Sequence, residues 1–187
     1  MFTAMGGYTI WLVGMMGAGK SAVGRALAER RRIPFVDTDE TVEREAGSRI
    51  AEIFEREGEA GFRRRERAAI EAVAGRDAVV ALGGGAIAQP GVADLLREAG
   101  RVVYLRAKPE TLAARVGDGR GRPLLAGLDA AGRRERLAKL LSDREIHYGS
   151  ATVVVDTDGL DAETVCAAVS RVLEACERGA ARGQGVS

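Results

Sequence analysis

Gly14-Met15-Met16-Gly17-Ala18-Gly19-Lys20-Ser21 is the stretch that most constrains what this chain can fold into. It fits G-x-x-x-x-G-K-[ST] and lies between a β-type run, Tyr8–Val13, and a helical pattern, Lys20–Arg31. Strand, glycine loop and helix in that order make a cradle for phosphate. The glycines let successive N–H groups turn inward, the helix N-terminus adds partial positive charge, and the lysine reaches the outer phosphates. The nucleotide-binding set is therefore Gly14, Gly17, Ala18, Gly19, Lys20, Ser21 and Ala22, with the Ser21 hydroxyl a ligand for Mg²⁺.

The rest of the chain alternates in the same way. Short β-branched runs at 34–36, 78–82, 102–105 and 152–155 are separated by helical patterns at 40–46, 50–57, 59–74, 92–98, 109–116 and 161–177, with Gly58 between the second and third. Pro109 suits a first helical position and Asp161 suits an N-cap. Five apolar strands joined by helices predict an α/β fold: a three-layer sandwich on a central five-stranded parallel sheet, with ligands beyond the carboxyl ends of the strands. At 187 residues, with no repeat or linker, one domain is expected. Residues 1–7 are expected to be loose, 117–127 to be a flexible Gly- and Arg-rich segment, and the tail 179–187 to be disordered.

Charge and cysteine content narrow the function. Twenty-eight basic against 27 acidic residues leave a net charge of +1, which speaks against nucleic-acid binding by counterion release. No apolar run is long enough for a bilayer, so no membrane role is expected. Cys166 and Cys176 lie ten positions apart on a helical pattern, and with no secretory leader they read as reduced thiols of a cytoplasmic protein. No N-K-x-D appears, which removes a guanine-nucleotide switch. The third strand ends in Gly83 rather than Asp, so Asp37 is the substitute metal carboxylate. A phosphate cradle with a mobile Arg-rich segment suggests a small-metabolite kinase that must exclude water.

Three further stretches are candidates for the acceptor side. Asp37-Thr38-Asp39 places two carboxylates that point the same way if the strand persists. Gly83-Gly84-Gly85 offers bare backbone N–H groups. Phe62-Arg63-Arg64-Arg65-Glu66 contains three arginines that, alone, would pass for a solvated face.

Together with Arg122-Pro123-Leu124-Leu125 and Arg144-x-x-x-Tyr148, these pieces resemble the shikimate kinase family in order and spacing over nearly the whole chain. The resemblance implies transfer of the ATP γ-phosphoryl group to the 3-hydroxyl of shikimate, with ATP as co-substrate and Mg²⁺ as cofactor. It implies Asp37 and Ser21 at the metal, and Lys20, Asp39 and Arg122 as catalytic residues. Asp39, Arg63, Gly83, Gly84, Gly85 and Arg144 would bind shikimate, the two arginines at its carboxylate. Arg115 would lie along adenine, Arg122 would swing onto the phosphates from a lid at 117–127, and 38–74 would be a helical substrate-binding region. Phe54 and Phe62 would flank the acceptor. Planar guanidinium groups suit a carboxylate better than lysine does. A monomer is implied.

The chain departs from the family pattern at Met16, in lacking a proline within 157–163, and in a 144–152 segment one residue short. His147 has no partner motif and reads as structural. The rivals are a related kinase such as a gluconate kinase, and a nucleotide-binding module without catalysis.

Overall fold

The computed structural model describes residues 7–119 and 121–183. Residues 1–6 of the loose start expected at 1–7, Arg120 within the 117–127 segment, and 184–187 of the tail lie outside the described residues.

Five parallel strands, β1 (Thr9–Val13), β2 (Phe35–Asp37), β3 (Val79–Ala81), β4 (Gly100–Arg106) and β5 (Val153–Asp156), form one sheet in the order β2-β3-β1-β4-β5. β1 is buried along its whole length because both its edges and both its faces are covered, which explains its unbroken apolar run.

The order dictates the layers. The connection from β1 to β2 runs one way across the sheet, and those from β3 to β4 and β4 to β5 run the other way. Right-handed crossovers therefore place their helices on opposite faces. Helix α1 (Lys20–Arg31) packs with the last helix, α7 (Ala162–Gly183), on one face. α4 (Val92–Ala99), α5 (Pro109–Val116) and α6 (Ala130–Tyr148) cover the other, α4 against β4 and α5 against α6. α2 (Thr38–Ala46) and α3 (Ile50–Val73) form a pair beside β2 with a small core of their own from Val42, Ile53, Phe62 and Ala69.

Several details differ from the sequence pattern. The two helices expected at 50–57 and 59–74 stack into α3, with Gly58 (φ 69°, ψ 179°) as a kink between them. The pattern offers no assignment for 128–151, yet Ala130–Tyr148 is helical, capped by Asp129 accepting from Gly132 N–H at 2.8 Å. Its inward stripe is Leu137, Leu140, Arg144 and Tyr148, and a buried arginine breaks the apolar period that would mark a helix. α7 runs on to Gly183, past Gly179 where disorder is expected to begin. Asp161 caps it as expected, accepting from Thr164 N–H at 2.7 Å. Among the described residues no helix is long and apolar enough to cross a membrane.

Candidate active site

The loop after β1 curls with positive φ at Gly14, Gly17 and Gly19 (143°, 83° and 94°). Gly19 is the residue before α1, where a left-handed conformation lets the chain turn abruptly into the helix, and a side chain there would be strained. Lys20 folds back beneath the loop and donates to the carbonyls of Gly14 (2.8 Å) and Met15 (3.0 Å). Burial pulls its ammonium down to about 8. Asp39 and Asp37 oppose that fall, and the positive charge of Arg122 adds to it. The loop opens on a pocket of about 500 Å³ lined by Gly17, Gly19, Lys20, Ser21 and Ala22, with Asp37, Asp39 and Arg122 opposite.

Asp37 sits at the junction of β2 and α2 and divides its two oxygens. Oδ1 caps α2, accepting from the N–H of Asp39 (3.0 Å) and Glu40 (3.5 Å). Oδ2 accepts from the Ser21 hydroxyl at 2.6 Å. A hydroxyl and a carboxylate oxygen held together are hard donors of the type Mg²⁺ takes. Among the described residues no group of three or more His, Cys, Asp or Glu could hold a metal alone, so water and phosphate oxygens would complete such a shell.

Asp39 reaches the same cleft by a different route from the one expected. The strand stops at Asp37, and Asp39 lies in the first turn of α2. Strand alternation is therefore not what brings the carboxylates together; the strand-to-helix turn is. Burial, followed by the charge of Asp37, raises the Asp39 carboxyl above its usual range, while Lys20, Arg122 and Arg63 pull against that rise. Its Oδ1 is buried and has no hydrogen-bond partner among the described residues.

Beyond Asp39 lies a second pocket, lined by Phe54, Phe62, Arg63, Glu66, Gly83–Gly85, Arg144 and the Gly121–Leu124 turn. Phe54 and Phe62 meet at 5.0 Å between ring centres, tilted by 38°, as its apolar wall. The three consecutive arginines of α3 part company. Arg64 is exposed, Arg65 pairs with Glu57 at 2.9 Å, and Arg63 turns into the pocket, held by Glu66 (2.6 Å) and Glu59 (3.0 Å). Arg144 is buried on α6, and among the described residues no carboxylate lies within ion-pair distance of it; Nη1 contacts Met15 Sδ at 3.7 Å.

The glycine run is needed for space. A Cβ on Gly83 would stand 2.0 Å from Glu66 Oε1 and 2.7 Å from Asp39 Oδ1, and one on Gly85 would stand 2.5 Å from the Arg63 guanidinium. The expectation of three bare N–H groups needs correcting for one of them: Gly83 N–H donates to Thr38 Oγ1 at 3.0 Å. The amides of Gly84 and Gly85 have no partner among the described residues.

Glu66 and Thr38 are the site residues that sequence reasoning missed. Glu66 is wholly buried, its carboxyl raised by burial against the pull of Arg63, and it also accepts from Gln89 Nε2 at 2.8 Å. Its signal was present: it falls four residues after Phe62 and four before Ile70, a charged residue on an apolar stripe. Arg122 precedes the short turn Pro123–Leu125 and lines both pockets, as do Met16, Asp39, Ile50, Gly84 and Gly121. Arg115 donates to Thr157 Oγ1 (3.0 Å) and to the Thr157 carbonyl (2.6 Å), forming one wall of a side pocket of about 200 Å³. Thr157, Leu160 and Ala162 fill the wall where a proline is expected.

Comparison with known proteins matches this arrangement. The model of the shikimate kinase family matches residues 16–174. The chain belongs to the shikimate kinase family. Curated relatives include a shikimate kinase of Symbiobacterium thermophilum, 47% identical over 174 residues (91% of this chain, 97% of that protein). Another is a shikimate kinase of Bordetella pertussis, 44% identical over 171 residues (90% and 80%). Among solved structures, shikimate kinase from Acinetobacter baumannii in complex with shikimate superposes with a TM-score of 0.86 at 37% identity, covering 90% of this chain and 94% of that one. Family membership agrees with the α/β architecture and with a phosphate cradle opening onto a second pocket.

Proposed function

We propose that the chain transfers the γ-phosphoryl group of ATP to the 3-hydroxyl of shikimate, giving shikimate 3-phosphate and ADP on the route to chorismate and the aromatic amino acids. The observation that carries this reading is the shared wall of the two pockets. Asp39 and Arg122 face both the phosphate cradle and a compartment holding two arginines from different helices, Arg144 buried and Arg63 half-buried. A carboxylate-bearing alcohol seated against Arg63 and Arg144 would present its hydroxyl toward Asp39 and the cradle.

Phosphoryl transfer asks mainly for in-line placement and charge neutralisation. Lys20 and Arg122 bring positive charge to the transferring group from opposite sides. Asp39 orients the acceptor hydroxyl and takes its proton; its raised pKa makes it a better acceptor than an exposed Asp. Ser21 and Asp37 would hold Mg²⁺, which would supply charge neutralisation to the transferring phosphoryl group. The Gly117–Gly127 segment would act as a lid, its Pro123 and Leu124 already forming one side of the acceptor pocket. Nucleotide would lie across Gly14–Ala22, with adenine against Arg115.

The enzyme would act as a monomer in the cytoplasm. Its exposed large apolar residues (Leu128, Ile146, Val154, Leu160, Val172) are spread over different elements, and both cysteines are free thiols. ADP release measured with shikimate, gluconate and nucleoside monophosphates tests the reading. Turnover with shikimate alone is expected; preference for another acceptor, or none at all, would overturn it.

A further inference from the structure

We propose that Tyr148 is a positioning residue for this reaction: its hydroxyl bridges the Gly84 carbonyl to the helical turn that carries Arg144, setting the acceptor's cation and the amides beneath the acceptor as one unit. The proposal rests on the shikimate kinase reading above.

Tyr148 ends α6, four residues after Arg144 and on the same face. It is wholly buried, and its ring stacks on Tyr104 at 4.7 Å and 18°. Its hydroxyl donates to Gly84 O at 2.6 Å, and the positive charge of Arg144, one turn earlier, acts on the same phenol. A phenol has one proton to give, and here it goes to Gly84. Burial pushes the phenol up to about 12, against the pull of Arg144, so it keeps that proton at any working pH.

Both ends of this bridge matter at the pocket. Pinning the Gly84 carbonyl fixes a planar trans peptide, which sends the unpartnered Gly85 N–H away from the phenol. Gly84 also abuts the phosphate loop, where an added Cβ would stand 3.2 Å from Met16 N and 3.4 Å from Gly14 O. At the other end the Arg144 guanidinium contacts the neutral Met15 thioether, whereas Arg63 is held by two carboxylates. A buried guanidinium oriented without being neutralised keeps its full attraction for an incoming carboxylate.

Tyr148→Phe keeps the ring and its stack and removes only the bridge. Calorimetric titration should show shikimate Kd raised about five- to tenfold, the worth of one buried hydrogen bond, with shikimate KM following and ATP KM unchanged. Tyr104→Phe, which removes a hydroxyl that contacts Glu145 at 3.4 Å, serves as the comparator and should leave shikimate affinity alone. A Tyr148→Phe enzyme that only melts earlier while binding shikimate like wild type overturns the proposal. An NMR measurement on wild-type protein carrying ¹³Cζ-tyrosine gives an independent readout: the Tyr148 resonance should move when shikimate is added, and a static resonance counts against the bridge. Wild-type protein that binds no shikimate takes down the functional reading and this proposal with it, whereas wild-type binding matched by Tyr148→Phe removes only the tyrosine's role.

Discussion

Gly83→Ala tests whether the acceptor pocket is as crowded as the structure describes. The new Cβ would meet Glu66 Oε1 at 2.0 Å and Asp39 Oδ1 at 2.7 Å. Ordinary contact begins at 3.4 Å, so the Glu66 carboxylate must retreat by about 1.4 Å. The backbone resists the alternative, because Gly83 N–H is fixed on Thr38 Oγ1. Glu66 resists too, since its other oxygen holds Arg63 at 2.6 Å and Gln89 at 2.8 Å. Overpacking of this kind costs about 1–3 kcal/mol. In a chain of this size that lowers Tm by about 2–12 °C, at about 2–4 °C per kcal/mol. Displacing Arg63 and Asp39 by roughly an ångström should also lower kcat/KM for shikimate on the order of 100-fold. Melting by circular dichroism and coupled ADP release measure both effects. Gly149→Ala is the control: with φ −60° and nearest contacts at 3.5 Å, alanine fits there and should be neutral or stabilising by about 0.4–1 kcal/mol. A Gly83→Ala enzyme with wild-type Tm and wild-type shikimate kinetics would refute the packing argument.

Lys20, lowered by burial to about 8, must carry its charge to meet phosphate, so kcat/KM for ATP should fall as pH rises through about 8. Bound phosphates favour the charged form, so kcat should hold to higher pH; a kcat/KM profile flat to the ordinary lysine value of 10.5 would contradict the burial argument. Because Asp39 has its pKa raised on folding, the folded state binds more protons between the unfolded and folded values. Stability therefore falls as pH rises through that window and stays lower at neutral pH. Asp39→Asn should accordingly resist urea better than wild type at pH 7 while losing turnover, and a less stable variant would speak against the sign. Arg63→Ala should weaken shikimate binding by about 2–5 kcal/mol in titration calorimetry. It should also destabilise the fold by about 3–5 kcal/mol, because Glu66 is left buried and unpaired. Adding Glu66→Gln should restore the melting temperature but not the affinity; recovery of both would remove Arg63 from the acceptor pocket.

Elements that announce themselves locally were legible. The loop motif fixes α1 at Lys20, Pro109 opens α5, and the apolar runs mark all five strands to within two residues. α6 was not, because its inward face includes Arg144, whose burial is explained only by contacts with Met15 and the end of the same helix. The nucleotide side was legible because its chemistry lies in eight consecutive residues. The acceptor side was less so. Arg63 and Glu66 sit in a charged run that looks solvated, and only the approach of Gly83–Gly85 from β3 shows which arginine turns inward. Thr38 taking the Gly83 amide joins residues 45 apart, and the Tyr148 bond to Gly84 joins residues 64 apart. No local pattern encodes pairings at that range.

In the proposed reaction the acceptor is recognised by its carboxylate, at the buried Arg144 and the half-buried Arg63, and phosphorylated from the adjoining cradle. Turnover of shikimate against its methyl ester addresses this directly, since the ester keeps every hydroxyl and loses only the charge. A fall in kcat/KM on the order of 100-fold or more for the ester is predicted, because two desolvated guanidinium groups would be left without their anion. Equal turnover of acid and ester would contradict the account.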